Sequence, residues 1–351
     1  MASALSSRRI VGLLLLLCVV FIWVGSSFLV SNLFGEQDFN HPFFITYLNT
    51  GTFSFYLVGA YFSRRHSHDR IGQRKRSASE ESLSSQTSEE GSPLVSDGQP
   101  AQHSHAPPLL QAKLTVRETV QLGVSFCMLW FAANITQNAS LAYTTVANSS
   151  ILCATSGLFT LAIGAVAGVE RFNAMRLGAV LVSIMGVYSI MHYGADPAGV
   201  QAMPLAWFGD LLALSSAFLY GCYTTLLKLK IGDESRLDSS LFFGSVGLAN
   251  IVLLWPGFFL LHWLGIETFA LPGSASLWLM ILVNALIGTF LSDYLWLMAV
   301  LMTSPLVVTL GLSLTIPLSM AGDILWKGVA VGLPYYVGAV MILAAFIAAN
   351  L

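Results

Sequence analysis

Long apolar stretches alternate with short polar interruptions along this chain, and the stretches have the length of membrane-crossing helices. A helix rises about 1.5 Å per residue, so about 20 apolar residues span the hydrocarbon core. Ten segments meet that length, at residues 10–31, 42–62, 116–138, 143–167, 174–193, 205–227, 240–261, 277–298, 304–326 and 331–350. The joints at Ser140 to Tyr143 and at Ala299 to Thr303 are short enough for helical hairpins. An all-α polytopic bundle is therefore expected, because each helix satisfies its own backbone; the alternating pattern of a β-barrel is absent. The first apolar run follows Arg8 and Arg9 and has no small-residue cleavage site, so it reads as a retained anchor.

Composition strengthens this picture. Hydrophobic residues make up 55% of the 351 positions and charged residues only 10%, whereas a soluble domain carries roughly a quarter charged. A soluble enzyme, a nucleic-acid binder and a disordered protein are excluded, and a net charge of -2 predicts no polyanion partner. Cys18, Cys127, Cys153 and Cys222 sit inside apolar runs without paired spacing, as packing residues do. No metal site or cofactor is expected.

The basic residues set the orientation. With a cytosolic N-terminus and ten crossings, 15 of the 16 lie inside and only Lys327 falls outside. Both termini are then cytosolic. The segment 63–115 holds 13 of the 34 charged residues, is rich in Ser, Gln and Pro, and reads as a disordered cytosolic loop. Ser77 follows a basic triplet, and Ser79 and Ser88 precede acidic pairs, so all three are candidate kinase sites. Phosphates there would weaken attraction of the basic cluster to anionic lipid; a plain solvated linker is the simpler reading. Glu90 to Val95 loosely matches an acidic endolysosomal sorting signal, and His66, His68, His103 and His105 suit solvent better than a metal.

Five spans precede the loop 194–204 and five follow, which divides the chain into halves at 1–193 and 205–351. An odd number of spans per half gives the halves opposite orientations, the geometry of inverted-repeat transporters. The halves share a pattern: a polar-dotted span, a short joint, then a span rich in Ser, Thr and Gly. Thr155 to Leu161 parallels Ser313 to Ser319 in loose register.

Polar residues within hydrocarbon are costly and tend to face the bundle interior. Asp293 is the deepest ionisable residue, about two-thirds along the eighth span. A carboxylate at that depth takes up a proton, meets a cation, or is neutralised by hydrogen bonds from neighbouring helices. Its helix also carries Asn284, Thr289 and Trp296. Asn134, Gln137 and Asn138 share one face of the third span by helical spacing, with Trp130 one turn before them. Tyr143, Asn148 and Thr155 in the fourth span, and Tyr220 and Tyr223 in the sixth, complete the candidate cavity lining. Polar glue between helices explains such residues equally well. Asp210 and Glu118 suit first-turn positions at helix N-termini, and Asp323 with Lys327 suits an i, i+4 ion pair. Three sequons, at Asn134, Asn138 and Asn148, lie in or beside spans and are not expected to be glycosylated.

Thr155 to Leu161, Phe242 to His262, Asn284 to Trp296 and Leu312 to Ser319 resemble the F subfamily of solute carrier family 35, nearest its fifth-member branch. The resemblance covers every span but not the 63–115 loop. It implies membership of the drug/metabolite transporter superfamily (EamA-like), ten helices in an inverted 5+5 repeat, a central cavity and alternating access. It also implies an endomembrane location (Golgi, vacuole or lysosome) and leaves the cargo open. Related branches carry nucleotide sugars, whose negative charges need basic partners; no Arg or Lys lies deep in any predicted span, and Asp293 has the wrong sign. A small organic cation, or a neutral vitamin-like or nucleoside-like solute stacked on Trp130, Tyr143, Tyr220 or Trp296, fits better. A non-transporting scaffold or receptor is the remaining class, with a second copy of the chain a further candidate partner. Motifs for an intramembrane aspartyl protease, a serine hydrolase, a zinc peptidase or a phosphate loop are missing, so no enzyme is expected.

Overall fold

The helices expected from the apolar pattern form, but several are broken where the sequence places Pro, Ser, Thr or Gly. The computed structural model describes residues 2–35, 39, 41–59, 61, 113–140, 143–144, 146–193, 205–327 and 332–350. The candidate kinase sites Ser77, Ser79 and Ser88 and the 194–204 boundary lie outside these residues. In chain order the helices are α1 (Ala2–Gly35), α2 (Pro42–Gly51), α3 (Val116–Ser140), α4 (Val146–Ala154), α5 (Ser156–Val166), α6 (Ala174–Tyr193) and α7 (Ala206–Ile231). There follow α8 (Ser239–Leu254), α9 (Pro256–Trp263), α10 (Ala275–Val283), α11 (Ser292–Met302), α12 (Pro305–Leu312), α13 (Thr315–Lys327) and α14 (Leu333–Asn350). No strand occurs among the described residues. Among the described residues eight helical rods are long and apolar enough to cross a membrane, nine if α8 and α9, bent by 43° at Trp255, count as one.

Three differences from the sequence reading have local causes. The segment 42–62 is interrupted: α2 gives way to a 3₁₀ turn at Thr52–Phe55 and α winding resumes at 56–59, so no single rod of the length of the others forms among the described residues. The sixth span runs on to Ile231, which draws Lys228 and Lys230 out of the expected loop into the last helical turn, where cations complement the helix dipole. There the Lys228 Nζ donates to the carbonyl of Leu301. The eighth span is one rod whose middle, Asn284–Leu291, is wound as a π-helix between α10 and α11.

The breaks of the fourth and ninth spans are repaired by side chains. Pro317 has no N–H to donate to Ser313, so the chain tightens at Ser313–Leu314, with Ile316 N bonding Ser313 O at 3.2 Å. The Thr315 hydroxyl then donates to Leu312 O at 2.7 Å. In the fourth span Thr155 does the same, its hydroxyl donating to Leu152 O at 2.5 Å. Two carboxylates that the sequence reading passed over cap helices from afar. After α5 the chain reverses at Gly168, whose φ of +71° favours glycine, and Glu170 accepts from Leu306 N at 3.0 Å at the start of α12. After α9 the reversal is at Gly265, φ +67°, and Glu267 accepts from Phe43 N and Phe44 N at 2.8 and 3.0 Å at the start of α2. Both capped helices begin with Pro. Glu118 closes a capping box with Thr115, as its first-turn position predicts.

Packing does not follow chain order. The rod α1 lies against α11, α13, α12 and the π segment, all from the second half of the sequence, while α7 lies against α3, α5 and α4 from the first. Between them, α6 and α14 pack along their length. Their crossing is reciprocal: a Cβ on Gly186 would fall 2.8 Å from Gly338 O, and one on Gly338 would fall 2.5 Å from Gly186 O. One end of the bundle is tightly filled, with Leu227, Ile231, Phe242, Leu297 and Val300 fully buried. Across this end Arg8 of α1 pairs with Asp233 at 2.8 Å and with Glu234.

Two outcomes follow from these contacts. Replacing Gly338 by Val should push α6 from α14 and lower the melting temperature in detergent, with Gly338→Ala milder; an unchanged melting temperature would show that the crossing is loose. Burial raises the Asp233 carboxyl, but hydrogen bonds from Ser235 and Arg8 outweigh it and hold the group down at about 2. Because that value is depressed, its stabilising contribution is complete above about pH 4 and is lost as pH falls towards 2. The wild type should therefore lose its advantage over Asp233→Asn in that window, by about a degree or two in melting temperature, since the pair is partly exposed.

Candidate functional site

Beyond the filled end lies a cavity of about 530 Å³. Its wall is drawn from both sides of the α6–α14 seam. From α3 come Trp130, Asn134 and Gln137; from α7 come Ser216, Tyr220 and Tyr223; the eighth-span rod supplies Thr289 and Asp293. The bends of the fourth and ninth spans both open onto it, through Cys153 and Ser156 on one side and Ser313 and Thr315 on the other. Broken helices that border a cavity are where irregular backbone is tolerated within a membrane.

Among the described residues Asp293 is the only charged one on this wall, and it makes no hydrogen bond or ion pair. It is half-buried, at the first turn of α11 directly after the π segment. Three hydrogen bonds, two from α1 and one from Tyr56, hold that segment and the serine that follows it. The Trp23 indole donates to the Ser292 hydroxyl at 3.0 Å, the Ser26 hydroxyl donates to Asn284, and the Tyr56 hydroxyl donates to Phe290 O at 2.7 Å. The Tyr56 ring also stacks on Phe290 with centroids 3.9 Å apart. A wide turn clamped in this way fixes the direction in which the carboxylate points, as π segments often do at functional sites.

The other polar groups are more internally committed. Asn134 donates to Trp130 O at 2.7 Å within its own helix. Gln137 donates to Ser149 at 2.9 Å and accepts from the Cys153 thiol at 2.6 Å. The Ser216 hydroxyl donates to Ala133 O at 2.8 Å. The Tyr220 hydroxyl is buried close to Trp296 and Thr309 without completing a hydrogen bond to either. Asp293 is thus the strongest unanswered group in the cavity, and four aromatic rings, Trp23, Trp130, Tyr220 and Tyr223, surround the same space.

Four of the expected residues are placed elsewhere. Trp296 is buried behind the wall, against Tyr223 and Phe126 at 5.9 and 6.3 Å. Asn284 accepts from Ser26 rather than facing the space. Tyr143 packs edge-on against Phe208 at 5.2 Å, beside the bond from Thr144 to Asp210 at 2.7 Å. Thr155 spends its hydroxyl on the helix bend. Asn138 and Asn148 lie in α3 and α4, but their side chains, like those of Asp323 and Lys327, are outside the described set. The sequence reading missed α1 altogether: Trp23, Ser26 and Ser27 all line the cavity, and their i, i+3, i+4 spacing in an otherwise apolar span was the available signal.

No family model matches the chain. Curated relatives do. An uncharacterized transporter of Schizosaccharomyces pombe is 41% identical over 98% of this chain and 96% of its own length. An uncharacterized vacuolar membrane protein of Saccharomyces cerevisiae is 39% identical over 99% of this chain and 92% of its own. Solute carrier family 35 member F5 of Pongo abelii is 33% identical over 97% of this chain and 76% of its own. A crystal structure superposes with a TM-score of 0.64 over 98% of this chain and 96% of its own, and at 14% identity that likeness concerns the fold alone. With ionisable groups nearly cleared from its spans, a polar cavity at the helix breaks and relatives named as transporters, this multi-pass membrane protein is a transporter belonging to solute carrier family 35, F subfamily.

Proposed function

We propose that the chain is a secondary-active carrier that works by alternating access on a small organic cation, or on a neutral vitamin-like or nucleoside-like solute. The observation that carries the reading is the unpaired Asp293 carboxylate facing a cavity walled by Trp23, Trp130, Tyr220 and Tyr223. A carboxylate answers a positive charge and aromatic faces hold a cationic or planar ring. Among the described residues no Arg or Lys stands on the wall to receive a phosphate, so there a nucleotide sugar would meet one negative group and no positive one. Asp293 serves charge recognition or proton coupling; Asn134 and Tyr220 orient the solute.

The mechanism we favour is rocking of two halves, 1–193 and 205–351, related by an inverted repeat of five spans each, with both termini cytosolic. Support comes from paired features. Thr155 and Thr315 repair equivalent bends by the same bond to a carbonyl three residues back. A Cβ on either Gly186 or Gly338 would run into the carbonyl oxygen of the other, a reciprocity expected of two residues at a two-fold seam. The broken segment of α2 and its 3₁₀ turn then counts as the tenth span, and the vacuolar relative favours an endomembrane location.

Uptake into liposomes containing the purified protein tests the reading. Thiamine, a nucleoside panel and nucleotide sugars are offered in turn; exchange of nucleotide sugars alone would overturn the cation assignment. Asp293→Asn should abolish pH-dependent flux while the protein still inserts and folds. The same substitution removes an unanswered charge, so the melting temperature should hold or rise. Normal flux in Asp293→Asn would remove the residue from the mechanism.

A further inference from the structure

Resting on the reading of a carrier that opens to alternate sides, we propose that Glu170 is the latch of the gate at the Arg8 end of the molecule. The fourth and ninth spans are each two half-helices, and the pairs behave differently at the two ends. At the Arg8 end, α5 and α12 pack directly. Leu161, Leu306 and Leu310 share one buried cluster, and the buried hydroxyls of Thr160 and Thr309 face each other at 3.4 Å. At the other end, α4 and α13 face each other across the cavity, which Cys153 lines from one side and Thr315 from the other. The same two spans are therefore closed at one end and parted at the other.

Glu170 holds the closed end. It belongs to the turn that leaves α5, yet its carboxylate caps α12 by accepting from Leu306 N at 3.0 Å, and its second oxygen pairs with Arg176 of α6 at 2.5 Å. One side chain thus ties the fourth, fifth and ninth spans together, with 1% of its surface exposed. The turn is shaped to deliver it. Gly168 reverses the chain, Glu170 N bonds Gly164 O at 3.0 Å, and Gly164 leaves room where a Cβ would fall 2.7 Å from Glu170 Cγ. Parting α5 from α12 would strand the buried Leu306 N–H and the Glu170 oxygen it bonds, while Arg176, in the same half as Glu170, keeps that carboxylate aimed at α12, so the gate stays shut until the halves rock as units.

Cys153 provides a native reporter, since it lines the cavity and needs no substrate. In a variant with Cys18, Cys127 and Cys222 changed to Ser, labelling by a membrane-impermeant cationic thiosulfonate is timed from each side of oriented liposomes. Labelling should be fast from the side opposite Arg8 and slow from the Arg8 side. Glu170→Ala should raise the rate from the Arg8 side about tenfold, the effect of losing one charge-assisted hydrogen bond, and lower it from the other. Glu170→Gln, which keeps an acceptor for Leu306 N, should fall between. If Glu170→Ala fails to insert, Arg176→Ala must shift the sidedness in the same direction. Unchanged sidedness in the variants that insert would overturn the latch. Failure of cation uptake with the sidedness still shifting would sink the substrate assignment and leave the gate standing.

Discussion

A peptide N–H or C=O that faces hydrocarbon has no water to fall back on, and this requirement governs the molecule more than any single contact. It explains why the described residues form helices and no strands, and it makes every interruption of a helix an expense. The chain accepts that expense at Thr155, Trp255, the 284–291 segment and Ser313. At most of these places a polar side chain stands ready. Thr155 and Thr315 return a hydroxyl to an orphaned carbonyl, and Glu170 and Glu267 reach across to helix starts in the other half of the sequence. The interruptions of the fourth, eighth and ninth spans converge on one volume, and that convergence distinguishes a carrier's interior from an inert bundle.

Much of this was legible beforehand, for physical reasons. Apolar length reports the spans because hydrocarbon tolerates little else, and Asp293 stands out because a deep carboxylate is rare. Trp130, Asn134, Gln137, Tyr220 and Tyr223 could be grouped because α3 and α7 are regular, so helical spacing predicts which residues share a face. Grouping failed where regularity failed. Asn284, Thr289, Asp293 and Trp296 read as neighbours on one helix, yet the π segment turns Asn284 towards α1 and Trp296 towards the core.

The carboxylate caps were illegible for another reason. Glu170 and Glu267 act on residues more than 130 and 220 positions away, and nothing in local spacing announces a partner at that distance. In hindsight each follows a helix-ending glycine by two residues and answers a helix begun by proline. The contribution of α1 was hidden likewise, because an anchor-like run of Leu and Val draws attention from Trp23, Ser26 and Ser27 within it.

The wide winding before Asp293 has a bearing on how such carriers diversify. Helical pitch, as much as residue identity, decides where the negative charge is presented, since tightening that stretch to ordinary α winding would swing the same aspartate around the rod axis. Specificity could therefore drift between descendants that keep every polar residue of the pocket and differ only in the coiling of eight neighbouring, mostly greasy positions.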